Sequence, residues 1–250
     1  MSFKDNFSKQ ASLYAEFRPH YPQEMINFIS NLCTSHELAW DAGTGNGQAA
    51  IALTKYFNHV VATDPSSEQI KNAVPDNKVI YKVQRSEECE LEANSVDLIT
   101  IANALHWFNF DTFYAIANNV LKKDGIIAAW CYTLPTINDV IDELVSTFHN
   151  VTVDEFWVHE NRLVEKEYQT IPFPFEEIST PQFYSEKEFT LSNLISYLNT
   201  WSATQKYIQK YGSNPTDMLS EEMKKVWGNV HDKKTVKWKL TLKVGRKFPN

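Results

Sequence analysis

The sequence lacks any apolar run near the roughly 18 residues that cross a membrane. Asp5, Lys9, Glu16 and Arg18 break up the first stretch, so neither a span nor a secretory leader is expected. A basic excess is also missing. Lys and Arg number 24 against 31 Asp and Glu, a formal net charge of −7, which disfavours a broad nucleic-acid surface. Cysteine is sparse: Cys33, Cys89 and Cys131 form no C-x-x-C pair and lie beside apolar or helical sequence. Reduced, buried thiols of a cytoplasmic protein are expected. The seven histidines show no H-x-x-x-H or H-E-x-x-H spacing, so no metal site is expected. No internal repeat or low-complexity segment appears.

What is present is a chain of 250 residues, 43% hydrophobic, enough for one α/β domain with an elaborated cap. Residues 5–17 read as a polar-faced helix, and Arg18-Pro19-His20-Tyr21-Pro22 breaks it. A second helix is expected over Gln23–Leu32 from Met25, Ile26, Ile29 and Leu32. From residue 37 strands and helices alternate as in a parallel sheet: Glu37–Asp41, His59–Thr63, Val79–Val83, Ser95–Ala102 and Ile126–Cys131 read as strands. The run Lys122-Lys123-Asp124-Gly125 reads as the stop of a helix over Thr112–Leu121. Later the pattern predicts helices over Ile137–Phe148, Glu155–Lys166, Leu191–Tyr211 (continuous) and Met218–Trp227. Val236–Val244 alternates as a strand. The implied divisions are a cap (1–34), a Rossmann-like core (35–134), a cap insertion with later core elements (135–235) and a closing strand (236–250), one domain overall.

The organising stretch is Leu38-Ala-Trp-Asp-Ala-Gly-Thr-Gly-Asn-Gly47, a strand, a glycine turn and a helix start that bring backbone N–H groups close to a ligand. Gln48 stands where the dinucleotide fingerprint needs a third glycine, so that pattern is not met. Asp64 lies 23 residues past Asp41 at the end of the second strand, where an acid can accept from both hydroxyls of a ribose. It also suits a helix N-cap, and the two roles are compatible.

Asp41-Ala-Gly-Thr-Gly-Asn-Gly47 resembles motif I of the class I S-adenosylmethionine (SAM) methyltransferases. Asp64-Pro-Ser-Ser-Glu-Gln-Ile resembles their post-I motif. Arg85-Ser-Glu-Glu88 resembles their adenine-lining segment, and Ser95 to Phe108 the motif IV region of the type 11 subgroup. Ala11…Tyr14…Arg18-Pro-His-Tyr-Pro22 and Leu198-Asn-Thr-Trp-Ser-Ala203 resemble the trans-aconitate methyltransferase-like branch. The resemblance implies a Rossmann-like α/β fold whose seven-stranded, mostly parallel sheet ends in an antiparallel C-terminal strand under a helical cap. It implies SAM as cofactor and S-adenosylhomocysteine as product. Gly43, Thr44, Gly45 and Gly47 would pack against the methionine portion, and Asp41 would hold the loop and help bind the ammonium. Asp64 would bind the ribose, Pro65 would lie on the adenine, and Ser86 and Glu87 would meet its polar edge. Asn103 would offer its backbone carbonyl to the ammonium.

His106 and Trp107 follow where the methyl should point, so His106 could bind a carboxylate or take a proton; it could equally cap the turn. Tyr14, Arg18 and Tyr21 sit on the cap, and Arg18 suits a carboxylate fork or a surface ion pair. Trp201 is expected in the core, with a substrate wall as the second option. No Asn-Pro-Pro-Tyr or Asp-Pro-Pro-Tyr run follows the fourth strand, which weighs against nucleobase amines. The expected activity is methyl transfer to a small molecule, a carboxylic acid or similarly compact polar compound, by a monomer or homodimer that engages neither nucleic acid nor membrane. A SAM-binding regulatory or scaffold protein without transfer is the alternative.

Overall fold

The computed structural model describes residues 17–248. The expected helix over 5–17, with Tyr14, lies outside the described residues except for Phe17. The first described helix is α1 (Gln23–Asn31), which starts at Pro22 and buries Met25, Ile26 and Ile29. Then follow β1 (Leu38–Ala42), α2 (Gln48–Leu53), β2 (His59–Asp64), α3 (Ser67–Lys71), β3 (Val79–Val83), β4 (Val96–Ala102), α4 (Phe110–Val120) and β5 (Leu121–Tyr132). The later chain adds α5 (Asp139–Thr147), α6 (Asn161–Glu165), β6 (Glu176–Ile178), β7 (Phe183–Phe189), α7 (Leu191–Asn199), α8 (Ser202–Tyr211), α9 (Thr216–Trp227) and β8 (Lys234–Arg246).

The expected fold class holds. One sheet runs in the order β3-β2-β1-β4-β5-β8-β6, with β7 also paired to β8. The pairs from β3 to β5 are parallel, and those of β8 are antiparallel. The described residues form eight strands, one more than expected, because the 13-residue β8 pairs with β7 through its first half and with β6 through its last. Successive strand residues point to opposite faces, and the core divides accordingly. Ala39, Leu98, Ala128 and Trp130 pack on one side, and Trp40, Ile99, Ile127 and Ala129 on the other. β4 is buried along nearly its whole length, as a central parallel strand with helices on both faces must be. Strand order reverses where β1 sits between β2 and β4, which opens a crevice at the carboxyl ends of the strands.

Three local expectations need correction. The continuous helix over Leu191–Tyr211 is two helices, because Trp201 is extended (ψ 133°) and Thr200 turns its hydroxyl back to the Tyr197 carbonyl at 2.6 Å. Apolar spacing carries across the break, so periodicity alone hides it. Residues 122–125 are an irregular opening of β5 rather than a helix stop, with Asp124 left-handed at φ 61° and the pairing register shifted against β4. All three thiols are free, but Cys89 is only half-buried, while Cys33 and Cys131 are buried.

Candidate active site

The glycine turn leaves β1 with Gly43, Gly45 and Gly47 all at positive φ. The Gly43 and Thr44 N–H groups donate to the Thr63 carbonyl at 2.8 and 2.9 Å, tying the turn to β2. A Cβ on Gly43 would stand 2.6 Å from the Ala104 Cβ, so the turn seats directly against the end of β4. Gly45 has open space on its cavity side, with nothing nearer than Gln69 Oε1 at 4.0 Å. Gly47 caps α2 outside the main cavity, and a Cβ there would strike the Tyr81 ring. Its bare Cα lets β3 close on the turn, and Gly43, Thr44 and Gly45 line the cavity.

Asp41 is fully buried and does not line the cavity. Its oxygens accept from Thr100 Oγ1 at 2.7 Å and from Thr44 Oγ1, and the Ala50 N–H adds a third bond. Burial raises its carboxyl to about 6 despite those bonds. Asp41 therefore supports the loop from behind. Asp64 does face the cavity, and both its oxygens also hold backbone: Oδ2 accepts from the Gly45 N–H at 2.9 Å and Oδ1 from the Ser66 N–H at 2.8 Å. The side-chain cap of α3 is Ser66.

Pro65, Ser86, Glu87 and Asn103 line the same end. Glu87 is anchored by the Asn109 N–H at 2.8 Å. Ser86 Oγ and Asn103 Oδ1 are buried and have no partner among the described residues. Buried polar atoms left unpaired are costly, so each marks where a ligand atom belongs. An ammonium is a pure donor that suits Asn103 Oδ1, and a hydroxyl can give or accept at an adenine edge as Ser86 Oγ allows. Asn103 is itself left-handed (φ 54°) and held by its N–H to the Trp130 carbonyl at 2.7 Å, a strained position at the end of β4. These residues fit SAM.

The cavity, about 1500 Å³, continues from there toward Arg18, Tyr21, His106 and Trp107. Arg18 is held by neutral groups on the cavity wall. Its Nε donates to Thr200 Oγ1 at 3.1 Å, Nη1 to the Tyr132 hydroxyl at 3.0 Å and Nη2 to the Thr200 carbonyl at 3.2 Å. The guanidinium also lies 5.6 Å from the Tyr197 ring centroid. Tyr21 packs edge-on against Trp130 at 5.1 Å. His106 sits in the 3-10 turn Leu105–Trp107, buried, with Nδ1 2.8 Å from the Tyr168 hydroxyl. Burial pushes its imidazole down to about 3, so it is neutral across the physiological range and a poor base.

Sequence reasoning missed Tyr132, His149, Trp157 and Tyr168. Trp201, expected in the core, is 4% exposed and still reaches the cavity, meeting His149 at 5.5 Å and Trp157 at 5.7 Å. Burial also lowers the His149 imidazole. No spacing pattern links these residues, since the break at Thr200-Trp201 and the five-residue π-helical turn Phe148–Thr152 bring them in.

A crevice at the strand-order switch, a glycine turn behind it and unpaired acceptors along it define a SAM-binding site on a methyltransferase fold. Comparison with known proteins agrees. A family model described as a methyltransferase domain matches residues 40–129. A Dictyostelium discoideum protein that carries the name of a methyltransferase is 31% identical over 229 residues, spanning 90% of this chain and 87% of the relative. A Saccharomyces cerevisiae protein named as a SAM-dependent methyltransferase is 28% identical over 148 residues, 56% of this chain and 51% of the relative. The solved structure of a type II methyltransferase from Anaeromyxobacter dehalogenans superposes with a TM-score of 0.87 at 31% identity, covering 94% of this chain and 100% of that one. The chain belongs to the class I SAM-dependent methyltransferases of the methyltransferase-domain family. It is an enzyme whose cofactor is SAM.

Proposed function

We propose that the methyl acceptor is a small polar molecule, with a carboxylic acid as the best-fitting class, bound beside Arg18 and His106 at the far end of the cavity. The observation that carries this is Arg18, a permanent charge fixed on the cavity wall by Thr200 and Tyr132. The resemblance of the cap to the trans-aconitate branch supports the same class. When bound, SAM supplies an electrophilic methyl for in-line displacement. The protein's share is orientation and exclusion of water, on the order of 7–11 kcal/mol when near-attack geometry is reached. A carboxylate has no proton to lose, which matches a site whose imidazole is a poor base. The net charge of −7 fits a diffusible acceptor rather than nucleic acid. Among the described residues, no helix is long and apolar enough to cross a membrane. We place the enzyme in the cytoplasm, as monomer or homodimer.

The test is S-adenosylhomocysteine release from SAM with matched sets of carboxylic acids, amines and phenols. Acids should turn over and yield base-labile esters. Turnover confined to amines would overturn the acid reading and turn attention to Glu160 and Trp157, which line the same end.

A further inference from the structure

We propose that Tyr168 locks His106 as its Nε2–H tautomer, so that the ring donates a hydrogen bond into the cavity and recognises an acceptor through an oxygen lone pair. The inference deepens the acid reading and rests on it for the chemistry of the acceptor. The tautomer itself does not depend on that reading.

Tyr168 is held where few residues go. Glu167 and Tyr168 are both left-handed, at φ 52° and 58°, a pair that only surrounding structure can impose. The Glu167 carboxylate is clamped on β8 by Lys239 Nζ at 2.8 Å and Thr241 Oγ1 at 3.1 Å. The Tyr168 N–H closes onto the Leu163 carbonyl at 3.0 Å. The turn thereby pushes the phenol, 0% exposed, under Leu105–Trp107.

A phenol has one proton to give and lone pairs to accept with. Among the described residues, His106 Nδ1, at 2.8 Å, is the one acceptor bonded to the phenol O–H. Were Nδ1 to carry the proton instead, a wholly buried O–H would be orphaned. Nδ1 therefore accepts, and a neutral imidazole with a bare Nδ1 must hold its proton on Nε2. The ring is 5% exposed and lines the cavity, and no described residue pairs with Nε2. That N–H waits for a ligand atom. A carboxylate or carbonyl oxygen satisfies it, whereas an ammonium, with only protons to offer, does not. Tyr168 is on this account a positioning residue and His106 a recognition donor, with no proton transferred by either.

The tautomer can be read by long-range proton–nitrogen NMR on histidine-labelled protein saturated with S-adenosylhomocysteine, near neutral pH. His106 should show a protonated Nε2 and a bare Nδ1. Tyr168→Phe, which keeps the ring and loses the hydroxyl, should shift the tautomer ratio about tenfold toward Nδ1–H, the worth of one hydrogen bond. A His106 that carries its proton on Nδ1 in the wild type would overturn the proposal, as would a ratio indifferent to Tyr168→Phe. If that variant fails to fold, the wild-type spectrum still decides. On the acceptor side, His106→Gln, whose amide N–H can replace Nε2–H, should keep turnover of the acid set within about tenfold. Loss of all turnover in that variant would mark His106 as a base and contradict the proposal. An Nε2–H tautomer in an enzyme that turns over no acid would defeat the acid reading alone.

Discussion

Around the glycine turn, the polar groups of the cavity and of the layer behind it stand at the ends of parallel strands or on the turns that follow them. Asp41 and Asn103 close β1 and β4, Asp64 closes β2, and all are pinned by backbone or hydroxyl bonds within the sheet. Along the rest of the cavity, Arg18, His106, His149 and Trp201 come from four separate segments, three of them irregular, and meet only through tertiary packing. The first end is a property of the sheet and the second of what is laid over it. Substitutions at the first should therefore move stability and SAM affinity together, and those at the second should move the acceptor alone.

The largest effect should come from the turn itself. Gly43→Ala adds a Cβ 2.6 Å from Ala104 at a positive φ, and should cost about 2–4 kcal/mol of stability in urea unfolding while abolishing tight SAM binding. An unchanged midpoint would show that the turn yields more than the packing implies. Next is Asp64→Ala, which should weaken SAM and S-adenosylhomocysteine by about 1–3 kcal/mol in calorimetry, because ribose contacts and the Gly45 anchor go together.

The acid limb of stability offers a subtler comparison. His106 is held down to about 3 in the folded state, so its contribution is present above its unfolded value near 6.5 and is lost as pH falls. Asp41, raised to about 6, works the other way: its contribution is present below about 4 and is lost as pH rises through 6. Between pH 4 and 6 the two oppose each other, so His106→Asn should make the slope of stability against pH more negative by about 1.4 kcal/mol per pH unit, one proton's worth. Equal slopes in the two proteins would place that proton elsewhere. Smallest is Arg18→Lys. It should raise the acceptor KM about tenfold, since an ammonium cannot hold Thr200 and Tyr132 at once, with SAM affinity unchanged. A matched fall in SAM affinity would move Arg18 to the cofactor end.

The same division explains what could be read from the chain. The alternation of strands and helices, the glycine turn and the Asp64 position follow from local patterns, because a strand–turn–helix unit writes its geometry into adjacent residues. Two details escaped even there. The resemblance implied that Asp41 holds the loop and helps bind the ammonium, and only the fold shows that Thr44 and Thr100 donate to its carboxylate. The resemblance implied that Gly47 packs against the methionine portion, and only the fold shows that its bare Cα makes room for Tyr81. Tyr168 could not have been found, since nothing in a run such as Glu167-Tyr168-Gln169 announces a left-handed pair or a histidine 62 residues away. Trp201 does lie in the core as expected, and only the break that Thr200 makes with its own hydroxyl was hidden by helical spacing.

The most direct measurement follows the methyl group. Methyl-labelled SAM would be incubated with the enzyme and a deproteinised small-molecule extract, with Asp64→Ala as control. Label should move to a low-mass, base-labile product, and the variant should transfer far less at the same SAM concentration. Label retained on SAM despite tight binding, or label carried only by macromolecules when these are added back, would contradict the assignment of this cavity to small-molecule methyl transfer.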